Sequence, residues 1–450
     1  MSIQELTIQS LAPTGHGIAD NGWYILGAYP GDIIQARVYK EAEGITYAEI
    51  MKIVSASKHR TYTPTTKPFF DANAPWAYLD QAYENKVKKE IVRDIFKTTS
   101  GVEITSQILN NKLKTTHYRN KVAYSFMESG EKLSFALYTR GVSGVEKIIQ
   151  TDNLLVHEVL NKVGKQFLEF FNQKKVPLET LKYLILRYSY YTGTVVAQIL
   201  VTGSNRKKIP WKKSDLETLI HQHREIKGVL VSHSEPGIRS STTTKDFYEI
   251  GTTEITEKLL DREYTYHPSQ FFQIYPEAFS EILVDCEELI TKIPHHENYE
   301  LLDLFAGVGV IGLHLAHLVQ NVHGVEQSPL AKRYALKNAK QHEITKIASQ
   351  ARNDRFTFTE ADVDEALEYI TPNQILIVDP ARSGLTKKVI AKITREQPEY
   401  IIYISCNPET QAEDYNKIKN YYTIEWSRAY NLFPKTSHVE HVIFLKQKTK

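Results

Sequence analysis

The chain is predicted to be an α/β protein with a parallel sheet in its carboxyl-terminal part, a mixed α+β segment in the middle and a small β module at its amino end. Three observations predict this. After about residue 266, β-like runs alternate strictly with helix-periodic segments, the mark of a parallel sheet covered on both faces. Between about 101 and 265, strand-like runs such as KVAYSFM, YLILRYSYY and GTVVAQILV surround the helix-like stretch 153–173. In the first 57 residues, short alternating runs are broken by turn signals. Domain boundaries are therefore expected at 1–60, 61–265 and 266–450.

In the first module the runs WYIL, DIIQARVYK and YAEIMKIV are separated by Gly15-His16-Gly17, Asn21-Gly22, Pro30-Gly31 and Glu43-Gly44. About five short strands at this spacing fit an OB-like barrel. Residues 58–76 are rich in Thr, Pro and Lys, a linker composition. A helical stretch follows to about residue 97. In the last part, strands are expected at 299–305, 321–326, 355–360, 374–378 and 399–404. Functional side chains of such a sheet belong at the carboxyl ends of its strands.

Composition narrows the chemistry. The 450 residues contain two cysteines, Cys286 and Cys406, too few for an all-cysteine metal site, an iron–sulfur cluster or a disulfide scaffold. The expected compartment is the reducing cytoplasm, since no apolar run reaches the length of a membrane span and the start lacks a signal-peptide layout. Net charge is only +2, so a nucleic-acid partner requires local patches. Two exist. KLKTTHYRNK carries Lys112, Lys114, Arg119 and Lys121 without an acid, and NRKKIPWKK carries five cations including Arg206, Lys207, Lys208, Lys212 and Lys213.

The first strand of the carboxyl-terminal part runs into LLDLFAGVGVIGLHLA. Gly307, Gly309 and Gly312 satisfy G-x-G-x-x-G, and Glu326 follows Gly307 by 19 residues. That pattern fits a Rossmann-like dinucleotide site. It equally fits an S-adenosylmethionine site, in which an acid at the second strand's end accepts from the ribose hydroxyls. Asp303 and two later motifs favour the second reading.

The fourth strand ends in Asp379-Pro380-Ala381-Arg382, a rigid acceptor at a strand tip. The fifth ends in Ser405-Cys406-Asn407-Pro408, which holds a cysteine in a loop before a helix. A helix amino terminus there is expected to stabilise the thiolate. Cys286 falls on the apolar stripe of an amphipathic helix with Phe279, Ile282, Leu283, Leu289 and Ile290, so it reads as packing. Near the carboxyl terminus, NLFPKTSHVEHVIFLKQ places Glu440 just inside a largely apolar β run, costly unless the acid is paired, solvated or used. A thiol nucleophile, a carboxylate base and a methyl donor together suit uracil C5 methylation. Attack on carbon 6 makes carbon 5 electron-rich, and a base then removes its proton.

The stretches HYRNKVAYSF, FFQIYPEAF, LLDLFAGVGVIGL, VDPARSGL, YISCNPETQAED and NLFPKTSHVE resemble, in order and identity, the RNA 5-methyluridine methyltransferase family. The resemblance implies a Rossmann-like methyltransferase domain with Cys406 as nucleophile and Glu440 as proton acceptor. It implies S-adenosylmethionine contacts from Gln273, Phe305 and Glu326, with Asp379 at the cofactor and uracil junction and Asp362 on the adenine side. GHGIADNGWYILGAYPGD resembles a TRAM domain, an RNA-binding module. That combination looks most like the branch acting on 23S ribosomal RNA, and transfer RNA is the alternative target, with a non-catalytic RNA-binding factor as a further one. Ribosomal members often hold an iron–sulfur cluster, but Lys67, Asn73 and Trp76 stand where cysteines belong, and none lies near Asp152. Neither a cluster nor another metal is expected. Ala381 for a second proline and Tyr275 for an asparagine are smaller departures. The expected assembly is a monomer.

Overall fold

The computed structural model describes residues 3–105, 107–108, 113–141, 144–150, 152–205, 209–235, 245–342 and 355–448. The chain divides into two compact units, residues 1–113 with 276–450, and residues 114–275.

The amino-terminal runs form a closed barrel of β1 (Gln4–Leu11), β2 (Gly17–Ala19), β3 (Tyr24–Ile25), β4 (Ile33–Ala42) and β5 (Ile45–Ser55). Its interior is small and branched, with Leu6, Ile8, Ile25, Ile34, Ala36, Ala48 and Ile50 buried. A barrel this narrow has little room at its strand crossings. A Cβ on Gly17 would sit 2.5 Å from the Ala28 carbonyl oxygen. The exit from β5 is fixed by a buried ion pair, Arg60 to Asp32 at 2.7 Å, with Asp32 also accepting from Tyr29 N and Ser57 N. Burying both charges is tolerable because every Asp32 oxygen has donors.

Helix α1 (Gln81–Ser100) starts where Asp80 accepts from Tyr83 N at 2.9 Å and stops at Gly101 in the left-handed region. A two-residue strand, β6 (Gln107–Ile108), follows.

The second unit holds β7 (Lys121–Ser129), β8 (Lys132–Gly141), β9 (Gly144–Ile149), α2 (Glu158–Gln173), β10 (Leu181–Tyr188), β11 (Val195–Val201), α3 (Lys213–Gln222), β12 (Ile226–His233) and β13 (Lys245–Gly251). Its seven strands form one mixed sheet in the order β13-β12-β11-β10-β7-β8-β9. The apolar stripe Leu160, Val163, Phe167 and Phe171 of α2 shares a core with Leu184, Leu186, Ala197 and Ile199 of the sheet. A hairpin of β14 (Ile255–Leu259) and β15 (Arg262–Tyr266) completes the unit.

The chain re-enters the first unit with α4 (Pro276–Thr291), β16 (Glu300–Leu304), α5 (Val310–Leu315), β17 (Asn321–Glu326), α6 (Pro329–Gln341), β18 (Phe356–Glu360) and β19 (Gln374–Val378). It ends with α7 (Lys387–Glu396), β20 (Tyr400–Ser405), α8 (Pro408–Ile418), β21 (Tyr422–Tyr430) and β22 (Glu440–Gln447). The order of the eight-stranded sheet is β18-β17-β16-β19-β20-β22-β21-β6, parallel from β18 to β20. β22 enters antiparallel between β20 and β21.

Residues of one parity, Leu302, Leu304, Leu376, Val378, Ile401, Tyr403, Ile443 and Leu445, share a core with α1, α7 and α8. The other parity is buried as well, including Leu301, Ile375, Ile377, Ile402, Ile404 and Val442. Burial of both parities explains why these strands read as continuous apolar runs. Cys286 is fully buried on α4. Among the described residues, no helix is long and apolar enough to cross a membrane.

Candidate active site

The strand order reverses at β16, which has β17 and β18 on one side and β19 and β20 on the other. A crevice opens at such a switch point, outside the carboxyl ends of the strands. Phe305, Glu326, Asp362, Asp379 and Cys406 all follow or end strands on that edge. Because β22 runs antiparallel, its first residue, Glu440, lies on the same edge.

The loop between β16 and α5 turns sharply. Phe305 has φ 66° and Gly309 φ 83°, the left-handed region that a branched residue avoids. A Cβ on Gly307 would meet nothing within 4 Å, so this backbone faces open space. Gly307 N donates to Glu326 Oε2 at 3.4 Å, and Glu326 Oε1 accepts from Ser328 N at 3.3 Å. Gly312 N donates to Asp303 Oδ2 at 2.9 Å, while the buried Asp303 Oδ1 has no partner. Burial pushes the Asp303 carboxyl up to about 7, with the charges of Asp379 and Glu326 adding to the effect. A loop that faces open space beside the carboxylates of Asp303 and Glu326 fits a ligand carrying hydroxyl donors and positive charge. Asp362 Oδ1 accepts from Asp364 N at 2.9 Å.

On the other side of the switch, burial pushes Asp379 up to about 7. Cys406 is partly exposed. It is bracketed by Ser405, whose Oγ accepts from Asn407 N and donates to Asn407 O, each at 3.1 Å. Ser405 pairs with His441 across β20 and β22, so Cys406 and Glu440 flank the last pair of that ladder. The thiol is pushed up to about 11, first by burial and then by the charges of Glu440 and Asp379, against which Arg382 acts. Here the structure corrects the expectation from the sequence. Desolvation and then the carboxylates around the sulfur favour the protonated group, so the resting group is a thiol. The Glu440 carboxyl is likewise raised well above the usual range, by burial and then Asp379, with Arg382 opposing.

Arg382, Asp414, Gln411 and His441 are neighbours of this edge that sequence reasoning did not single out. Arg382 Nη1 lies 3.2 Å from His438 Nδ1, and its carbonyl accepts from Asn407 Nδ2 and Thr410 Oγ1. Asp414 Oδ2 accepts from Leu385 N at 2.7 Å and Tyr403 OH at 2.9 Å, tying the Asp379–Leu385 loop to α8. Gln411 Nε2 donates to Tyr403 O and to His441 O, and its Oε1 lies 2.6 Å from His441 Nδ1. Burial pushes His441 down to about 3, so it is neutral. A readable signal existed: Gln411 and Asp414 are three apart in TQAED, so two polar side chains share a helix face with buried Ala412 and Tyr415.

Gln273 is not part of this constellation within the first unit. It belongs to the second, where its carbonyl accepts from Asn120 Nδ2 at 3.2 Å. Of the two basic patches, Lys114, Arg119, Lys121, Lys212 and Lys213 are described, whereas Lys112, Arg206, Lys207 and Lys208 lie outside the described residues. Lys121 is paired opposite Arg187, whose charge, followed by burial, pushes the ammonium down to about 7. Among the described residues, no group of three or more His, Cys, Asp or Glu side chains could hold a metal ion.

Comparison with known proteins brings in the family. The sequence model described as tRNA (uracil-5-)-methyltransferase matches residues 81–448. An uncharacterised RNA methyltransferase of Nanoarchaeum equitans is 28% identical, over 98% of this chain and 93% of that protein. One from Bacillus cereus is 26% identical, over 98% and 96%. Among solved structures, the Pyrococcus abyssi tRNA (uracil-54, C5)-methyltransferase in complex with S-adenosyl-L-homocysteine covers 98% of this chain and 100% of its own, with TM-score 0.75 and 22% identity.

Proposed function

This chain belongs to the tRNA (uracil-5-)-methyltransferase family, and from that premise we propose that it methylates carbon 5 of a uridine in RNA through a covalent bond from Cys406. The observation that carries the reading is that Cys406 and Glu440 flank the Ser405–His441 pair, on the edge that also holds the glycine-rich loop, with the Glu440 charge acting on the thiol. S-adenosylmethionine, when bound, supplies the electrophilic methyl group. Its ribose hydroxyls suit Glu326, Phe305 and the glycine loop would flank it, and Asp362 would take the adenine side. Asp379 sits between cofactor and uracil. Gln273 enters the cofactor set on the family resemblance.

The residues divide the reaction as follows. Cys406 first gives up its thiol proton to solvent; the thiolate adds to carbon 6, and the electron pair of the carbon 5–carbon 6 double bond moves into the enolate. Carbon 5 then takes the methyl group. Glu440 removes the carbon 5 proton, the electrons of that bond restore the double bond, and the carbon–sulfur bond breaks to return the thiolate. Burial raises the Glu440 carboxyl, which makes it a stronger base once ionised, and it must be in its carboxylate form when the carbon 5 proton is removed. The target uridine must leave its stack to reach a partly buried thiol.

Ribosomal RNA is the proposed target, on the resemblance of the amino-terminal barrel to a TRAM domain. A second reading, the transfer RNA T loop, is favoured by a specific comparison. The Pyrococcus abyssi transfer RNA enzyme covers 98% of this chain, so a transfer RNA target is compatible with the same architecture. The proposal includes action in the cytoplasm as a monomer. Quantifying 5-methyluridine in ribosomal and transfer RNA from cells with and without the gene tests it. Loss from neither pool rejects the activity, and loss from transfer RNA alone selects the second target.

A further inference from the structure

Glu84 and Lys88 stand one turn apart on α1, and both are fully buried. Their charged groups are 3.0 Å apart. A buried pair of this kind is costly to desolvate, and it persists where further hydrogen bonds satisfy both ions. Here those bonds reach the loop that joins β21 to β22. Lys88 Nζ donates to Asn431 Oδ1 at 2.6 Å and to the Phe433 carbonyl at 3.0 Å. Glu84 Oε1 accepts from Asn431 Nδ2 at 2.8 Å and from Lys435 N at 3.0 Å.

The loop is held from a third direction as well. Lys435 has φ 65°, which turns its side chain back so that Nζ donates to the Leu79 carbonyl at 2.7 Å, 3.6 Å from Glu84 Oε2. Trp76 N donates to the Lys435 carbonyl at 3.1 Å, and the Trp76 indole donates to the Gly15 carbonyl at 2.9 Å. A loop is ordinarily the mobile part of a fold. This one has its main chain bonded at residues 433 and 435 by buried groups of α1 and the linker. It begins after Tyr430 and ends at Glu440, and these two residues pair across the sheet.

We propose that Glu84 and Lys88 are positioning residues that clamp the 431–435 turn and thereby fix the place of Glu440 for the proton-removal step. The inference rests on the reading of Glu440 as the base. In that step the carbon 5 proton passes to Glu440, the electrons of its bond restore the carbon 5–carbon 6 double bond, and the carbon–sulfur bond breaks. A clamp on the base should matter here and not in cofactor binding, because the glycine loop and Glu326 make none of these contacts.

The test compares Asn431→Ala, Lys88→Met and Glu440→Gln in the full chain with an RNA substrate. It measures methyl transfer, the covalent protein–RNA adduct on a denaturing gel, and S-adenosylmethionine affinity by calorimetry. Loss of the clamp is expected to slow product release roughly 10- to 100-fold, to build up adduct as Glu440→Gln does, and to leave cofactor affinity within about twofold. Asn431→Ala keeps the Glu84–Lys88 pair, so it reports even if Lys88→Met fails to fold. If Glu440→Gln traps adduct and Asn431→Ala does not, the clamp is wrong and the base assignment stands. If Glu440→Gln releases product at the normal rate, the base assignment fails and the clamp fails with it.

Discussion

Ser405 pairs directly with His441 across the antiparallel β20–β22 ladder, and Gln411 bonds to the carbonyls of Tyr403 and His441 on the two strands. That pair is the last of the ladder; Cys406 follows Ser405, Glu440 precedes His441, and the Glu440 charge acts on the thiol. The proposed nucleophile and base are therefore set by sheet register, a more rigid device than two loops would provide.

The two cysteines should respond oppositely to replacement. Cys406→Ala is expected to abolish 5-methyluridine formation and leave the melting temperature nearly unchanged, because the site is partly exposed. Cys286→Ala, inside the α4 core, should keep the activity and lose about 1–2 kcal/mol of stability. Methylation assays and urea unfolding of the two variants check this pair. Activity in Cys406→Ala would end the covalent mechanism.

Thiol reactivity should climb with pH. With Cys406 pushed up to about 11, its thiolate fraction rises about tenfold per pH unit well below that value. Iodoacetamide alkylation followed by mass spectrometry should show this slope between about pH 7 and 9. Arg382 is the opposing charge, so Arg382→Ala should slow alkylation by about tenfold at pH 7.5. A rate independent of pH, or faster labelling in the variant, contradicts the electrostatic account.

Stability of the cofactor-free protein should fall as pH rises from about 4 to 7. Asp303 and Asp379 both have folded values raised to about 7, so the native state binds more protons than the unfolded chain across that window. Their favourable contribution is fully present below the unfolded carboxyl range and is lost as pH passes through about 7. Asp303→Asn should therefore gain about 1–4 kcal/mol at pH 8 and little at pH 4. Denaturant midpoints at the two pH values measure it, and an equal effect at both would refute the assignment.

Gly384 is a structural requirement of the Asp379–Leu385 loop. It has φ 74°, and a Cβ there would approach Asp414 Oδ2 to 2.6 Å, the oxygen that accepts from Leu385 N and Tyr403 OH. Gly384→Ala is expected to cost about 1–3 kcal/mol and to reduce methylation by displacing Arg382. Normal stability and activity in this variant would show that the loop is not anchored through Asp414.

The local pattern was legible because it depends on spacing alone. Short, nearly continuous apolar runs marked β16, β17, β19 and β20 to within about one residue, and the period of α4 separated Cys286 from Cys406. Strand tips followed from the strands, so Glu326, Asp379 and Cys406 could be named as edge residues before any coordinates. Tertiary structure alone decided what faces what. Insertion of β22 beside β20 brings Glu440 to the strand edge that holds Cys406, through the non-local Ser405–His441 pairing that no short window encodes. The same burial reversed the expected effect on the thiol, since desolvation and neighbouring carboxylates raise its pKa where a helix terminus was expected to lower it. Glu84 and Lys88 have the four-residue spacing of an ordinary helix-surface ion pair, and nothing in that spacing marks them as buried. Only the returning 431–435 loop buries them, because burial is a property of the packed chain and not of the residues that undergo it.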